Sequence, residues 1–459
     1  MTHNKRIPLL PFVALTLILP ALLCGCDSYV AAYAPPVTAY MEETLPQTET
    51  PAETEPPLTV VKGVVRAMTA DTASIFTKDG KIELTLSDPA VTAPEYGPMY
   101  GAEATLSYDN EGKLVSAAIA GVEYGDKAYA LLKAMTAEEK AGQLIMASPG
   151  LSSAPEALKS CPMGGIVTFA ADFKYGTKDS VRSLIDAAQA ASKIPLMISA
   201  DEEGGTVCRV SYYSAYRSDY FRSPRTVLAN GGLDGAKADA KEKAELLLSL
   251  GVNVNLAPVC DISADKNDFI YDRSPGGDAE TVSGYVSAVV ETSRGAGLGS
   301  VLKHFPGYGS AKDTHFGIAY DDRPIERFRE SDFLPFAAGI KAGAGTVMYT
   351  HIIINSIDPD YPATLSKEAH RLLREELGFD GLAMTDDMNM GAITKFTDGR
   401  SAAVAAILAG NDMLAISGDY MTAYNALAEA INNGTIPQYQ LDGAVMRVLI
   451  YKFRCGIID

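Results

Sequence analysis

Short apolar runs rich in β-branched residues recur through most of the chain, and stretches with helical periodicity separate them. Eight of these runs lie at 143–147, 165–169, 195–200, 254–259, 300–305, 346–351, 381–386 and 412–416. Helical stretches such as SVRSLIDAAQAASK lie between most of them. Eight buried strands that alternate with helices predict an α/β fold, a (β/α)8 TIM-type barrel over residues 126–459. The alternative is an open doubly wound sheet, but no GxGxxG motif follows the first run.

A different pattern precedes the barrel. Residues 59–124 contain five short β-rich runs, which read TVVKGVV, TASIFT, KIELTLS, EATLSY and LVSAAIA. Residues 78–81 and 110–113 carry the Asp-Gly and Glu-Gly pairs of hairpin turns between them. We therefore predict a small all-β domain, either a barrel or a sandwich, ahead of the large domain. It contains no catalytic grouping.

The first 58 residues have the character of an export signal followed by a tether. Lys5 and Arg6 precede an apolar stretch that is short for a membrane span and ends in small residues, which predicts a signal peptide at 1–25. Leu23-Cys24-Gly25-Cys26 resembles a bacterial lipobox, with Cys26 as the lipid-bearing residue. Residues 27–58 contain six Pro, six acidic residues and no Lys or Arg, which predicts a disordered tether over 26–58. We expect an exported protein, lipid-anchored on the outer face of the cytoplasmic membrane; a plain signal peptide is the alternative.

Composition narrows the possible functions. The chain has 459 residues with 57 acidic and 39 Lys or Arg side chains, so its formal net charge is −18. A strongly acidic chain repels phosphate backbones, and we expect no nucleic-acid partner. Six cysteines without a CxxC pair indicate neither a disulfide scaffold nor a zinc site.

Polar residues follow the predicted barrel strands, where barrels place their chemistry. In chain order they are Asp201, Glu202, Glu203 and Arg209; Asp261 and Arg273; Lys303, His304, Asp313 and His315; His351; and Asp386 and Asp387. Carboxylates, guanidinium groups and imidazoles in this mixture suit a neutral, polyhydroxylated ligand. One carboxylate in such a site can attack an acetal carbon.

Six motifs carry a resemblance to a known family. They are MTAEEKAGQLIM, DEEGGTVCR, LAPVCDI, KHFPGYG, DTH and GLAMTDDMNM, in this order from about Met135. Together they resemble glycoside hydrolase family 3, in its single-barrel bacterial β-N-acetylglucosaminidase branch. Each motif stands at a strand end or at the start of the domain. Tyr308 departs from the branch, which more often has histidine at that position of the KHFPGHG motif.

The resemblance implies roles for individual residues. The aspartate of the family's S/T-D motif is the nucleophile, and Asp386 matches it. An Asp-x-His pair after the fifth strand supplies the general acid/base, and Asp313 and His315 match that pair. The positions that hold the sugar hydroxyls are matched by Asp201, Arg209, Arg273, Lys303 and His304. The resemblance calls for no metal ion and no organic cofactor.

These roles imply a retaining double displacement on an oligosaccharide. Asp386 attacks the anomeric carbon and forms a glycosyl ester, while His315 protonates the leaving oxygen and later deprotonates water. The charge of Asp386 favours the protonated imidazole, and its loss in the neutral ester makes the imidazole a better base. The expected activity is release of terminal β-linked N-acetylglucosamine from cell-wall or chitin-type glycans.

Other functions stay open. The same residues suit phosphorolysis, because a histidine repels phosphate less than a carboxylate does. A β-glucosidase or β-xylosidase is a further alternative, against which the Asp-His pair argues. A non-catalytic glycan-binding lipoprotein is the last, against which the intact Asp386, Asp313 and His315 argue.

Simpler roles are expected for several polar residues. Asp387 is expected to cap the helix after the seventh strand. His304 and His351 suit packing or supporting roles, and His370 is expected on the surface.

Overall fold

A computed structural model describes residues 57–459. The predicted signal peptide, the lipidated Cys26 and the predicted tether up to residue 56 lie outside the described residues. The described residues belong to one compact unit. Within the described part of the chain, no helix combines the length and the apolar character that crossing a bilayer requires.

The amino-terminal part is a curled six-stranded sheet. Its strands are β1 (Thr59–Met68), β2 (Thr72–Thr77), β3 (Gly80–Thr85), β4 (Val91–Thr92), β5 (Glu103–Tyr108) and β6 (Leu114–Ile119), in the spatial order β3-β2-β1-β5-β6-β4. Tight turns join β2 to β3 and β5 to β6, as the Asp-Gly and Glu-Gly pairs predict. The sequence did not predict β4, which is only two residues long and pairs in parallel with β6.

The remaining strands and helices build the large α/β part. The strands are β7 (Ile145–Ala147), β8 (Gly165–Thr168), β9 (Met197–Ala200), β10 (Glu202–Gly204), β11 (Val207–Cys208), β12 (Val254–Asn255), β13 (Gly299–Phe305), β14 (Ala319–Asp321), β15 (Thr346–Tyr349), β16 (Ile352–Ile354), β17 (Leu382–Thr385) and β18 (Leu414–Ile416). The α-helices are α1 (Gly125–Lys133), α2 (Ala137–Gln143), α3 (Ala154–Ser160), α4 (Ala170–Phe173), α5 (Lys178–Ala191), α6 (Pro224–Leu250), α7 (Ala279–Gly295), α8 (Ile325–Arg327), α9 (Phe333–Lys341), α10 (Lys367–Arg371), α11 (Gly391–Thr394), α12 (Gly399–Ala409), α13 (Tyr420–Asn432) and α14 (Gln438–Arg454). A 3-10 turn spans Ala363–Leu365, and π-helical turns span Phe328–Asp332 and Leu372–Glu376.

Eight parallel strands form the barrel predicted from the sequence. Their order is β17-β15-β13-β12-β9-β8-β7-β18. A parallel bridge between Met384 and Met413 brings the two ends of this sheet together, with the amide of Thr385 donating to the carbonyl of Met413 at 3.1 Å. Each strand lies in one of the eight apolar runs to within one residue, so the predicted fold class is confirmed. The interior is filled by buried side chains, including Met146, Met197, Met348 and Met384.

Local sequence signals set the start of the barrel domain. The Thr136 side chain accepts the amide of Glu139, and the Glu139 carboxylate accepts the amide of Thr136 at 3.0 Å. This reciprocal pair is the capping box that the sequence predicts, and it satisfies two otherwise free donors at the start of α2.

The small sheet packs against the barrel at the amino ends of the strands. Met99 belongs to the same buried cluster as the helices around the barrel, and Tyr124 stacks on Phe453 with ring centroids 5.5 Å apart. Gly101 lies against Asp380, which precedes β17. The carboxyl ends of the barrel strands therefore lie at the opposite end of the barrel.

Candidate active site

A cavity of about 360 Å³ opens at the carboxyl ends of the barrel strands. Among the residues that line it are Asp201, Arg209, Arg273, Lys303, His304, His315 and Asp386. Of the site residues predicted in the described part of the chain, only Asp313 is not part of this lining, and it lies behind His315. The remainder of the wall includes apolar side chains such as Phe169, Leu256 and Met348. Convergent polar groups in a mostly preformed pocket are typical of a ligand site.

Asp386 follows β17 directly, where the strand ends. Its amide donates to the carbonyl of Tyr349 on the neighbouring strand at 3.1 Å, and its carboxylate accepts the amide of Asp387 at 2.8 Å. Burial alone would raise the pKa of Asp386, but nearby His304 and His351, the amide of Asp387 and the charge of Lys303 outweigh burial and lower it. Asp386 is therefore an ionised carboxylate with a fixed position, as a nucleophile requires.

His315 sits on the loop after β13 and is held by Asp313. Its Nδ1 lies 2.6 Å from Oδ1 of Asp313, which also accepts the amide of His315 at 2.9 Å. This contact assigns the Nδ1 proton to the Asp313 side and leaves Nε2 as the nitrogen available to a substrate. The imidazole is half exposed and meets the edge of Phe269.

The loop that carries His315 is docked on the segment after β17. The carbonyls of Thr314 and His315 accept the amides of Ala392 and Gly391, each at 3.1 Å. The buried Tyr308 supports the loop from below through its hydroxyl, which lies 3.0 Å from both the amide and the hydroxyl of Thr314. The nucleophile and the candidate acid/base are therefore presented by two segments that are bonded to each other.

A buried ion-pair network lies beneath the cavity. Lys303 Nζ lies 2.7 Å from Asp201 and 2.6 Å from Glu203, and Arg273 binds Glu203 with two hydrogen bonds of 2.8 and 2.9 Å. Burial alone would raise the pKa of Glu203, but Arg273 and Lys303 outweigh it and hold the pKa well below its usual range. Conversely, burial alone would lower the pKa of Lys303, which Asp201 and Glu203 raise. Arg209 Nε lies 3.7 Å from Asp201.

Two further carboxylates, to which the family resemblance assigns no role, complete this network. Glu203 is the fully buried partner of Arg273 and Lys303. Asp261 accepts from His304 Nδ1 at 2.8 Å and from the amide of Tyr308 at 2.8 Å. His304 Nε2 then accepts from Arg273 at 3.1 Å, which fixes its tautomer. Both carboxylates follow predicted strands, and this position was the sequence signal that could have identified them. Their pairing was not predictable, because their partners are distant in sequence.

Asp387, His370 and His351 have surroundings that their local sequence predicts only in part. Asp387 is not the cap of the helix after β17: α11 begins after Met390, and the Asp387 carboxylate binds the amide and hydroxyl of Ser417 instead. The expectation that His370 lies on the surface is also wrong, because His370 is buried against Tyr349. His351 has a supporting position, since its ring nitrogens contact the Thr364 hydroxyl at 2.7 Å and the Asp387 carbonyl at 3.0 Å.

Burial lowers the pKa of His351, whose ring bridges the segments after β15 and β17. Among residues 57–459, no group of three or more His, Cys, Asp or Glu side chains is arranged to hold a metal ion.

The comparisons with known proteins agree with this geometry. The family model described as Glycosyl hydrolase family 3 N terminal domain matches residues 136–450. The chain belongs to glycosyl hydrolase family 3. A β-hexosaminidase of Xanthomonas oryzae pv. oryzae is 34% identical over 238 residues, which cover 50% of this chain and 69% of that protein.

Two solved structures of similar proteins share the fold. A β-N-acetylglucosaminidase from Paenibacillus sp. str. FPU-7 has a TM-score of 0.66 and 31% identity, covering 70% of this chain and 63% of that chain. The β-glucoside phosphorylase BglX has a TM-score of 0.66 and 26% identity, covering 73% and 61% of the two chains. The prediction that this family 3 member is a glycoside hydrolase is confirmed at the level of its relatives. The roles of the single site residues stay predictions.

Proposed function

We propose that this protein is a retaining, exo-acting hydrolase that releases terminal β-linked N-acetylglucosamine through a covalent ester on Asp386. One observation supports this most strongly. Asp386 and His315 line the same cavity of about 360 Å³, and His315 is held there by Asp313 at 2.6 Å. A cavity of this size is within the range of small-molecule pockets, and the Xanthomonas and Paenibacillus relatives are named β-hexosaminidase and β-N-acetylglucosaminidase.

The first chemical step uses both residues. A carboxylate oxygen of Asp386 forms a bond to the anomeric carbon while the bond to the leaving oxygen breaks, and His315 Nε2 gives its proton to that oxygen. Before it gives up this proton, the protonated imidazole carries a positive charge, which the Asp313 carboxylate offsets. In the second step the neutral imidazole removes a proton from water, the water oxygen bonds to the anomeric carbon, and Asp386 leaves as a carboxylate.

The polar floor of the cavity serves substrate recognition in this proposal. Asp201 accepts hydrogen bonds from sugar hydroxyls, while Arg209 and Lys303 donate to sugar oxygens. Glu203 and Asp261 act through their partners, because Glu203 fixes Arg273 and Lys303 and Asp261 fixes His304. Charges that are already paired keep their positions before the substrate arrives, which lowers the cost of ordering them.

A second candidate function is phosphorolysis of the same glycosides. The likeness to the phosphorylase BglX favours it, as does an acid/base that carries no negative charge of its own. In that reaction a phosphate oxygen replaces water in the second step, and the product is a sugar 1-phosphate. In this alternative Arg209 receives the phosphate, because it lines the cavity and its side chain is less closely paired than those of Arg273 and Lys303.

One assay separates these functions. Aryl β-N-acetylglucosaminide and aryl β-glucoside are each turned over with and without inorganic phosphate, and products are separated by chromatography. Hydrolysis of the first substrate at a phosphate-independent rate supports the proposal. Sugar 1-phosphate as the main product supports phosphorolysis, preference for the glucoside makes the enzyme a glucosidase, and no turnover of either substrate contradicts catalysis.

For location, we propose that the mature chain begins at a lipidated Cys26 and is anchored on the outer face of the cytoplasmic membrane. The lipobox-like Leu23-Cys24-Gly25-Cys26 and the acidic, Pro-rich segment behind it support this. A single acyl chain binds a membrane only marginally, so a stable anchor implies more than one chain. The wild type should enter the detergent phase and Cys26→Ser the aqueous phase; a wild type found in the aqueous phase refutes the anchor.

A further inference from the structure

A second cavity, here called the junction cleft, lies between the small sheet and the barrel. It encloses about 300 Å³, and its walls include Arg66 from β1, Tyr100 from the small sheet, and residues of α10 and α14. Arg374 on its wall donates to the carbonyl of Gly381, just before β17. The junction cleft therefore lies at the amino ends of the strands, at the end of the barrel opposite Asp386.

The junction cleft is strongly positive in a chain whose net charge is −18. Its lining contains the cations Arg66, Lys367, Arg371, Arg374 and Arg447, and a single carboxylate, Glu375. Arg371 is paired with neighbouring glutamates, Glu368 at 2.6 Å among them. Arg66 is fixed by a hydrogen bond to the carbonyl of Glu375 at 3.2 Å, yet neither Arg66 nor Lys367 forms a salt bridge with a carboxylate of residues 57–459.

Two of these cations share one buried counter-charge. Asp412 binds Arg374 at 3.0 Å and Arg447 at 2.7 Å, and all three side chains are buried. One carboxylate facing two guanidinium groups leaves one positive charge uncompensated in a buried place, which is costly. The ring of Tyr100 lies 4.7 Å from Arg374 and 5.1 Å from Arg447, but a ring quadrupole offsets only part of a full charge.

His370 supplies an independent observation in the same lining. Its side chain is only 4% exposed, and within residues 57–459 neither ring nitrogen forms a hydrogen bond of good geometry, although the backbone of Thr364 lies close to the ring. Buried polar groups are nearly always paired, so an imidazole without a well-formed hydrogen bond has a donor or acceptor free for a ligand in the cleft. Burial, with the charges of Arg374 and Arg447, lowers the pKa of His370 to about 3, so its ring is neutral and keeps one N–H donor.

We propose that the junction cleft binds an oxyanion of the phosphate class, held by Arg66 and Lys367 at its mouth and by Arg447 and the N–H of His370 further in. A dianion neutralises the excess charge of the Arg374–Asp412–Arg447 group and accepts several hydrogen bonds at once, as guanidinium groups favour. The cavity has more room than a bare phosphate needs, so a phosphate that carries an organic group also fits. The ligand joins the small sheet to the barrel and stabilises their contact.

Binding of inorganic phosphate to the full chain tests this proposal by calorimetry. Lys367→Met and Arg66→Met should each weaken binding by about threefold to tenfold, and the double variant should weaken it further. Lys62→Met is the matched control, because Lys62 is exposed on the same strand as Arg66 and outside the lining, and its affinity should equal that of the wild type. Lys367 is also exposed, so its replacement leaves the folded core intact.

A second variant separates the junction cleft from the catalytic cavity, which also contains cations. Arg209→Met should leave phosphate binding in the junction cleft unchanged. Phosphate should also raise the unfolding midpoint of the wild type more than that of the Arg66 and Lys367 variants. The proposal is overturned if phosphate does not bind, or if Arg209→Met abolishes binding while the junction-cleft variants retain it.

The source of the phosphate group is a separate arm of the experiment. Sedimentation with phosphatidylglycerol vesicles, using protein that starts at residue 57, asks whether a lipid headgroup occupies the junction cleft. Vesicle binding that Lys367→Met weakens and inorganic phosphate displaces assigns the site to a headgroup. Phosphate binding without vesicle binding assigns it to a soluble phosphate compound.

Discussion

The hydroxyl of Tyr308 lies 3.0 Å from the backbone nitrogen of Thr314, one residue before the candidate acid/base His315. Tyr308 is also the position at which this chain departs from the histidine more usual in the motif. The same hydroxyl lies 3.0 Å from the Thr314 side-chain oxygen, and burial raises the pKa of Tyr308 to about 12. The substitution therefore does not leave the loop unsupported, because a neutral phenol ties its centre to the end of β13.

Tyr308→Phe should loosen this loop without removing any group that touches the substrate. The amide of Thr314 loses its acceptor in a buried place, which costs about 1–3 kcal/mol. We expect kcat on an unactivated disaccharide to fall about tenfold, while turnover of a dinitrophenyl sugar changes less because its leaving group hardly needs an acid. Tyr216→Phe is the control, since Tyr216 is buried and its hydroxyl binds the carbonyl of Phe173 away from the loop. Equal losses on both substrates would contradict a role through His315.

Substitutions of Asp386 and His315 should impair catalysis in different ways. Asp386→Asn should remove nearly all activity, because an amide does not form the ester. His315→Ala should lose about 10²–10⁴-fold on natural glycosides, the usual contribution of a general acid/base. On a dinitrophenyl sugar the first step should survive and the second should become slow.

Azide distinguishes these variants further. Added azide should restore turnover of the activated sugar by His315→Ala and release a β-glycosyl azide, since azide attacks the ester without needing a base. It should not rescue Asp386→Asn, which forms no ester. Near-normal activity of His315→Ala on an unactivated disaccharide would mean that another group is the acid. The buried Glu203 is disfavoured in that role by its two cationic partners.

The barrel was predictable because its signal is local. Strands such as β9 and β15 are buried along their whole length, so they read as short continuous apolar runs. The strand ends then located the cavity residues. The pairing of Glu203 with Arg273 was not predictable, because the partners are 70 residues apart and meet only when the barrel closes.

The burial of two polar residues was predicted wrongly, because it too depends on contacts between residues that are distant in sequence. His370 lies in a helix between charged neighbours, which is typical of an exposed residue, yet that helix packs its His370 side against Tyr349. Asp387 follows a strand and precedes a short helix, as a capping residue does. Its carboxylate is instead taken by Ser417 after β18, 30 residues further along. The local sequence pattern around His370 and Asp387 does not indicate these tertiary contacts.

The barrel without the small sheet should fold and remain active, with a lower thermal midpoint. The sheet contacts the amino ends of the strands, whereas Asp386 follows the carboxyl end of β17. A fragment of residues 126–459 exposes the surface that Met99 and Tyr100 cover, including Arg374 and Arg447. We expect kcat/KM within about threefold of the full chain and a clearly lower unfolding midpoint. An insoluble or inactive fragment would show that the small sheet is part of the catalytic fold.

Lys452 should make the stability of this protein depend on pH. Its side chain is fully buried, and among residues 57–459 its Nζ binds only the side-chain oxygen of Gln143, at 2.7 Å. Burial lowers its pKa to about 7. In the unfolded chain a lysine titrates near about 10.4. Between about pH 7 and pH 10.4 the unfolded chain therefore holds one more proton than the folded chain, so stability rises with pH across this window. Below about pH 7 both states are protonated and the full penalty remains.

Lys452→Met removes this titration from the folded state. The gain in unfolding midpoint over the wild type should be greatest near pH 6.5 and should shrink towards pH 9.5. As Lys452 loses its proton, the wild type no longer bears the cost of a buried charge. The loss of a partner for Gln143 lowers the midpoint of the variant equally at both values and does not alter the trend. Lys237→Met, at an exposed position on α6, should show no such pH dependence. A gain that stays constant from pH 6.5 to 9.5 would mean that Lys452 holds its proton in the folded protein, with Gln143 alone sufficient to keep a buried ammonium charged.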